Sequence, residues 1–350
     1  MSRVAVVLFN LGGPDNFDTV KPFLRNLFSD PAIISAPAPV RWFLAHLISA
    51  RRAGHARSIY AKIGGSSPIR TETEKQARAL EVALADLGTV KAFPCMRYWH
   101  PFSDQVARAV AEFAPDQVVL LPLYPQFSTT TAGSSINDWR RAAKLAGLRV
   151  PERTVCCYAR DAGFIAAQVA LITPLLRAAM AKGPVRLLLS AHGLPKKIIA
   201  RGDPYQWQVE QTCAAVVAGL AGKGFVDLDW RVCYQSRVGP LEWIGPATED
   251  EIIQAGKDGR GVVLAPVAFV SEHSETLVEL DIDYRNLAKT SGVGDYLRVP
   301  TVRTRAEFID GLAAITRKAL SWPDPAARCG GGDAGRCCPE SLTACGYGSI

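Results

Sequence analysis

The chain has 350 residues, 48% of them apolar and 21% charged, enough to bury a large core and too evenly mixed for a disordered or fibrous protein. Forty Lys and Arg against 33 Asp and Glu leave a formal charge of +7, which suits an anionic small molecule or an acidic membrane surface as well as nucleic acid. The basic residues are scattered, with neither zinc-finger spacing nor an RNA-binding signature, so a nucleic-acid partner is not expected.

In chain order, the first apolar run, residues 4–9, is shorter than a signal h-region and lacks a cleavage-type end, so export is not expected. No stretch reaches the roughly 18 uncharged apolar residues of a spanning helix. A cytoplasmic location follows, with peripheral contact with the inner membrane left open. Strand-length apolar runs occur at 4–10, 90–95 and 118–123 in the first half, and at 154–158, 185–191, 229–234 and 262–270 in the second. Helix-period segments at 72–87, 104–113, 164–181, 206–221 and 305–320 alternate with them, the pattern of α/β lobes with parallel sheets flanked by helices. The expected division is a lobe over 1–150, a second over 151–321 and a Cys-rich tail over 322–350. Ligand-facing residues belong on the loops beyond the strands' carboxyl ends, after Asn10, Leu123, Ala191, Tyr234 and Val270.

Trp42, Phe43, Leu44, Leu47 and Ile48 precede Arg51 and Arg52, and read either as core packing or as an apolar, cationic lip for a flat ligand or a bilayer. Asn10-Leu11-Gly12-Gly13-Pro14 lacks the third glycine of a dinucleotide fingerprint and reads as a turn. Thr129 to Thr131 with Ser134 and Ser135 read as a polar loop. His192 ends an apolar strand just before Gly193; such a histidine is commonly structural, yet imidazole takes up protons near neutral pH.

The acidic segment 272–283 is the most informative. At ~100° per residue, Glu272, Glu275, Glu279 and Asp283 fall in a stripe about 80° wide, with His273 on its shoulder. No Lys or Arg intervenes within the segment, so the stripe requires a compensating partner. That partner is either a dication, for which carboxylate and imidazole are suitable ligands, or solvent around an exposed helix face.

Of nine cysteines, Cys329, Cys337, Cys338 and Cys345 crowd the tail. Thiols clustered in a reducing compartment suggest zinc or an iron-sulfur cluster rather than disulfides. Adjacent Cys337 and Cys338 strain to serve one centre together, which leaves Cys156 or Cys157 as a substitute ligand.

Six blocks in order carry a family resemblance: NLGGP (10–14), YAKIGGSSP (60–68), LYPQFSTTTAGSS (123–135), SAHGLP (190–195), CYQSRVGPLEWIGP (233–246) and FVSEHSETLVELDIDY (269–284). Over the span from Phe9 to Tyr284 the chain resembles the ferrochelatases. The resemblance implies two Rossmann-like lobes of the chelatase fold with an active-site cleft between them, ferrous iron and a porphyrin as substrates, and protohaem as product. It implies that His192 is the proton acceptor or iron ligand and Glu275 its opposing carboxylate, with His273, Glu279 and Asp283 on an acidic path for metal entry or proton exit. It places Arg52, Tyr60 and Ser67 on the porphyrin's propionates and rim, Leu11 and Trp243 on the pocket walls and Phe269 near the macrocycle. A [2Fe-2S] cluster on Cys329, Cys337, Cys338 and Cys345 is also implied. Where animal relatives supply an internal cysteine this chain has Thr129, so the fourth ligand falls to the tail or to Cys156 or Cys157.

Coproporphyrin as substrate, a cobalt chelatase of the same fold, and a non-catalytic haem- or metal-binding protein are the rival readings. A homodimer stays open.

Overall fold

The computed structural model describes residues 2–237, 239–323, 325–331 and 335–348. The chain divides into two compact units: unit 1 comprises Met1–Cys157, Leu312–Gly330 and Gly346–Ile350, and unit 2 comprises Tyr158–Gly311 and Gly331–Cys345.

Unit 1 opens with β1 (Arg3–Asn10), α1 (Val20–Ser29), α2 (Ala38–Ala61) and α3 (Ile69–Ala83), followed by β2 (Thr89–Met96), α4 (Ser103–Phe113), β3 (Gln117–Pro122), α5 (Ala132–Leu145) and β4 (Glu152–Cys157). Unit 2 follows with α6 (Ala162–Met180), β5 (Val185–His192), α7 (Lys196–Ile199), α8 (Tyr205–Ala221), β6 (Asp229–Gln235), α9 (Thr248–Lys257) and β7 (Gly261–Pro266). A π-helical segment (Glu275–Asp283), α10 (Tyr284–Thr290) and β8 (Tyr296–Arg298) complete it. The chain then runs through α11 (Ala306–Leu320) to β9 (Arg328–Cys329).

Among the described residues the sheet of unit 1 has the order β2-β1-β3-β4-β9 and that of unit 2 the order β6-β5-β7-β8, and every pairing is parallel. Val4 to Phe9 are buried along the whole of β1 and Leu187 to Leu189 along β5, as central strands covered on both faces require. Both β1 and β5 sit inside their sheets, so Asn10 and His192 emerge at corresponding carboxyl edges.

Several sequence expectations need correction. Strand 154–158, assigned to the second half, is β4 and pairs with β3 in the sheet of unit 1; the Arg140 and Trp139 side chains of α5 both bind its Glu152. The polar run 129–135 is no loop beyond Thr131: Ser134 and Ser135 lie in the first turn of α5 and are buried. The strand expected over 262–270 stops at Pro266. The tail is not wholly irregular, because Arg328 and Cys329 pair with β4. Helices α1, α5 and α9 and the three-residue β8 are missing from the sequence expectations, although Val20, Phe23, Leu24 and Leu27 of α1 carry a clear helical period.

Helix α2 turns Ala45, Ser49 and Ala53, spaced by four, into unit 1 and leaves Trp42 62% and Phe43 59% exposed. The lip is therefore a surface and not core. Helix α6 has the length and composition to cross a membrane, but Phe164, Val169, Ile172 and Leu176 on it are buried in unit 2, which accounts for its apolar character.

Candidate active site

Within unit 2, the carboxyl end of β5 and the π-helical segment bring together the residues expected to carry chemistry. His192, the last residue of β5, has its Nδ1 2.6 Å from the Gly193 carbonyl oxygen. A carbonyl accepts only, so Nδ1 bears the proton and the Nε2 lone pair is left available in the neutral ring. That Nε2 stands 3.8 Å from Glu275 Oε2. From the other side, His273 Nε2 stands 3.5 Å from the same oxygen. Both separations exceed a normal hydrogen bond, and Glu275 Oε2 is buried without a hydrogen-bond partner among the described residues. One carboxylate oxygen thus faces two imidazole nitrogens across short gaps.

Burial pushes the Glu275 carboxyl up, but the His192 charge, with His273 and Ser236 behind it, outweighs burial and holds it down at about 2. The Glu275 side chain nonetheless keeps 29% of its surface accessible and His192 34%, whereas His273 keeps 7%. The Phe269 ring lies 4.6 Å from that of His273.

Glu279, one turn along, has the opposite character. Its oxygens accept from the Ser236 amide at 2.8 Å and hydroxyl at 2.5 Å, from Gln235 Nε2 at 3.2 Å and from the Tyr284 hydroxyl at 3.0 Å. Burial and the charge of Glu275 still push its carboxyl up. The two acids are driven apart, one firmly ionised and the other inclined to hold a proton, the arrangement by which neighbouring carboxyls take different roles.

The stripe anticipated from an α-helical period does not survive intact. Glu272 precedes the π segment and is withdrawn to Arg298 of β8, at 2.7 Å, and to the Thr301 amide, at 3.0 Å. Arg298 also binds Asp281. Arg298 is the compensating cation for this part of the stripe, and nothing in the segment itself announces it. Asp283 is exposed at the far end. Sequence reasoning pointed to the loop after Tyr234 without singling out Gln235 and Ser236. Ser236 has φ +61°, a left-handed conformation uncommon outside glycine that aims its amide and hydroxyl together at Glu279.

Gly193 closes the His192 turn. Its amide donates to the Gln235 carbonyl at 2.8 Å, and a Cβ there would meet that oxygen at 3.0 Å and the Trp243 ring at 3.3 Å. Trp243 therefore packs beside the turn, its indole nitrogen buried without a hydrogen-bond partner among the described residues. It also lines an open cup of about 320 Å³ with Arg237, Leu241 and Glu249.

The remaining expected residues lie in unit 1. Leu11 packs against the cluster of Val20, Phe23, Tyr60, Tyr98 and Trp99, and the Arg52 guanidinium lies 5.9 Å from the Phe28 ring, which packs there too. Ser67 is drawn to the first loop: its amide donates to the Pro14 carbonyl at 2.8 Å, and a Cβ on Gly13 would fall 2.5 Å from its side chain.

The thiols group differently from the tail set. In unit 1, Cys156, Cys157 and Cys329 form a buried triangle with Sγ separations of 3.5, 3.6 and 3.8 Å. Thiolates at ~2.3 Å around a tetrahedral metal stand about 3.8 Å apart, so these three fit corners of such a site. In unit 2, Cys338 interacts with Cys337 and Cys345, and its thiol is pushed up to about 12, first by Cys337.

The family model described as "Ferrochelatase" matches residues 3–320. A ferrochelatase of Caulobacter vibrioides (strain NA1000 / CB15N) is 56% identical over 321 residues, 91% of this chain and 90% of that one. A ferrochelatase of Hyphomonas neptunium is 48% identical over 98% of this chain and 94% of its own. Among solved structures, SirB from Bacillus subtilis with Fe3+ aligns with TM-score 0.53 and 11% identity over 92% of this chain and 96% of that one, which identifies the chelatase fold. On these matches the chain belongs to the ferrochelatase family and is an enzyme, a metal chelatase.

Proposed function

We propose that the enzyme inserts ferrous iron into protoporphyrin IX to form protohaem, with His192 as the base that accepts pyrrole protons and Glu275 as the anionic partner opposite it. The observation that supports this most is the single buried oxygen of Glu275 facing the Nε2 atoms of His192 and His273. Metallation needs two N–H protons removed and a dication stripped of water, and this constellation offers a lone pair, a fixed negative charge and a second imidazole at one place. Because Nδ1 of His192 is committed to Gly193, the proton arrives at Nε2, where Glu275 stabilises the resulting imidazolium. Glu279, inclined to bind a proton, takes charge onward; Asp283, exposed at the end of the segment, is the exchange point with solvent. Bending the macrocycle raises its nitrogen lone pairs toward the metal, and binding energy from an apolar wall is used for that distortion. In unit 2, Trp243 and Phe269 are assigned to such a wall; in unit 1, Leu11, Arg52, Tyr60 and Ser67 keep the porphyrin-contact roles that the resemblance implies.

Cys156, Cys157 and Cys329 are the residues of unit 1 that would hold an iron-sulfur centre. A [2Fe-2S] group, when bound, supplies one-electron chemistry, which metal insertion does not use. The exposed Trp42 and Phe43, with the exposed Arg51 about two turns further along α2, support peripheral contact of a cytoplasmic enzyme with an anionic membrane surface. The test is an anaerobic spectrophotometric assay with ferrous iron and protoporphyrin IX, run beside coproporphyrin and Co²⁺. Haem formation with the first pair in preference to the others is expected, and a stronger preference for either alternative overturns the assignment.

A further inference from the structure

The turn that carries His192 is tied to the Cys-rich tail along one helix of unit 2. The hydroxyl of Tyr205, the first residue of α8 and buried, donates to the His192 carbonyl oxygen at 3.0 Å. Three residues on, the fully buried Gln208 donates through Nε2 to Cys338 Sγ at 3.1 Å. Residues three apart on a helix share a face, so α8 holds the His192 peptide at one end of that face and the tail at the other. The tail also grips the loop leading into α8. The Ala344 amide donates to the Gly202 carbonyl at 3.1 Å. Gly202 has φ +85°, and a Cβ there would lie 2.6 Å from Thr343 Oγ1 and 2.9 Å from its amide nitrogen, so only glycine lets the tail approach this closely. Asp203 locks the start of the helix by accepting from the Tyr205 amide at 3.0 Å.

We propose that Tyr205 and Gln208 form a brace along α8 through which the seating of the tail sets the aim of the His192 imidazole, Tyr205 being a positioning residue for it. The inference rests on the reading of His192 as the base. Its Nδ1 is bound to the carbonyl of the next residue, so the direction of Nε2 follows the two peptide planes flanking the turn, and the Tyr205 hydroxyl holds one of them. A reacting nitrogen displaced by about 1 Å loses on the order of a hundredfold in rate, so one hydrogen bond at this carbonyl matters to turnover and not to porphyrin affinity.

The test compares the full-length Tyr205→Phe, Gln208→Leu, double and His192→Ala variants in anaerobic iron-insertion kinetics, with porphyrin affinity followed by fluorescence and stability by thermal melting. Tyr205→Phe is expected to lower kcat about tenfold with the porphyrin KM, affinity and melting temperature unchanged. Gln208→Leu should lower kcat severalfold, and the double variant should be no slower than Tyr205→Phe, because Gln208 acts through Tyr205. A wild-type kcat in Tyr205→Phe, parallel losses of affinity and melting temperature, or fully additive effects in the double variant would overturn the brace. Should Tyr205→Phe fail to fold, Gln208→Leu decides, wild-type turnover there overturning it. An inactive His192→Ala beside a normal Tyr205→Phe sinks the brace alone, whereas near-normal turnover in His192→Ala sinks the base and the brace together.

Discussion

Nε2 of His192 lies 3.8 Å from Oε2 of Glu275, beyond a hydrogen bond and near the distance at which two ligands share one cation. A protonated imidazole is stabilised by that carboxylate, and a neutral one presents its lone pair to the same space. Replacing His192 by Ala is expected to lower iron insertion by ~100-fold or more while porphyrin still quenches intrinsic fluorescence on binding. Near-normal turnover would remove His192 from the chemistry.

Glu275→Gln keeps the shape and removes the charge. Turnover should fall and depend more steeply on iron concentration, and unchanged kinetics across an iron series would count against the assignment. The variant also bears on acid stability. The folded carboxyl is held at about 2, below its ordinary 4.5, so its contribution is fully present above pH ~4.5 and is lost as pH falls toward 2. In chemical denaturation across that window the difference between wild type and Glu275→Gln should shrink with acidification; a constant difference would contradict the sign.

Arg298 binds Glu272 at 2.7 Å with both side chains less than a tenth exposed. Burial pushes the Glu272 carboxyl up, and Arg298 with Thr276 and Thr301 brings it below its usual value. Arg298→Met leaves that buried carboxylate unpaired and should cost about 3–5 kcal/mol, measured by urea unfolding. A loss under ~1 kcal/mol would mean that water replaces the guanidinium.

The triangle of Cys156, Cys157 and Cys329 makes Cys329→Ser informative. Visible absorbance of the protein as isolated under anaerobic conditions should disappear in this variant, along with bound iron by elemental analysis. Retention of both would exclude Cys329 as a ligand.

Much of this architecture was legible because the central strands are buried on both faces: runs such as 4–9 and 187–189 are apolar without alternation. The edges were harder. β8 has three residues, β9 two, and neither length carries a period. At the site, His192, His273, Glu275 and Glu279 were legible as chemical types near strand ends or in one acidic run. Their partners were not: Arg298 arrives from a distant strand, and Ser236 acts through a backbone conformation that a serine does not advertise. The cysteine grouping was legible only in part. Tail spacing suggested Cys329, Cys337, Cys338 and Cys345 with Cys156 or Cys157 as a substitute, and the parallel pairing of β9 with β4, which no spacing announces, delivers Cys329 beside both Cys156 and Cys157.

The segment Glu275–Asp283 is wound as a π-helix, a form uncommon in proteins and concentrated at functional sites. Its wider coil sets the phase between Glu275, facing the two histidines, and Glu279, seated on Ser236. Side-chain exchange leaves that phase alone, but excising one amino acid would let the coil tighten to ordinary α geometry and rotate one acid out of place. Apart from its acids, this stretch is therefore more sensitive to length than to side-chain identity.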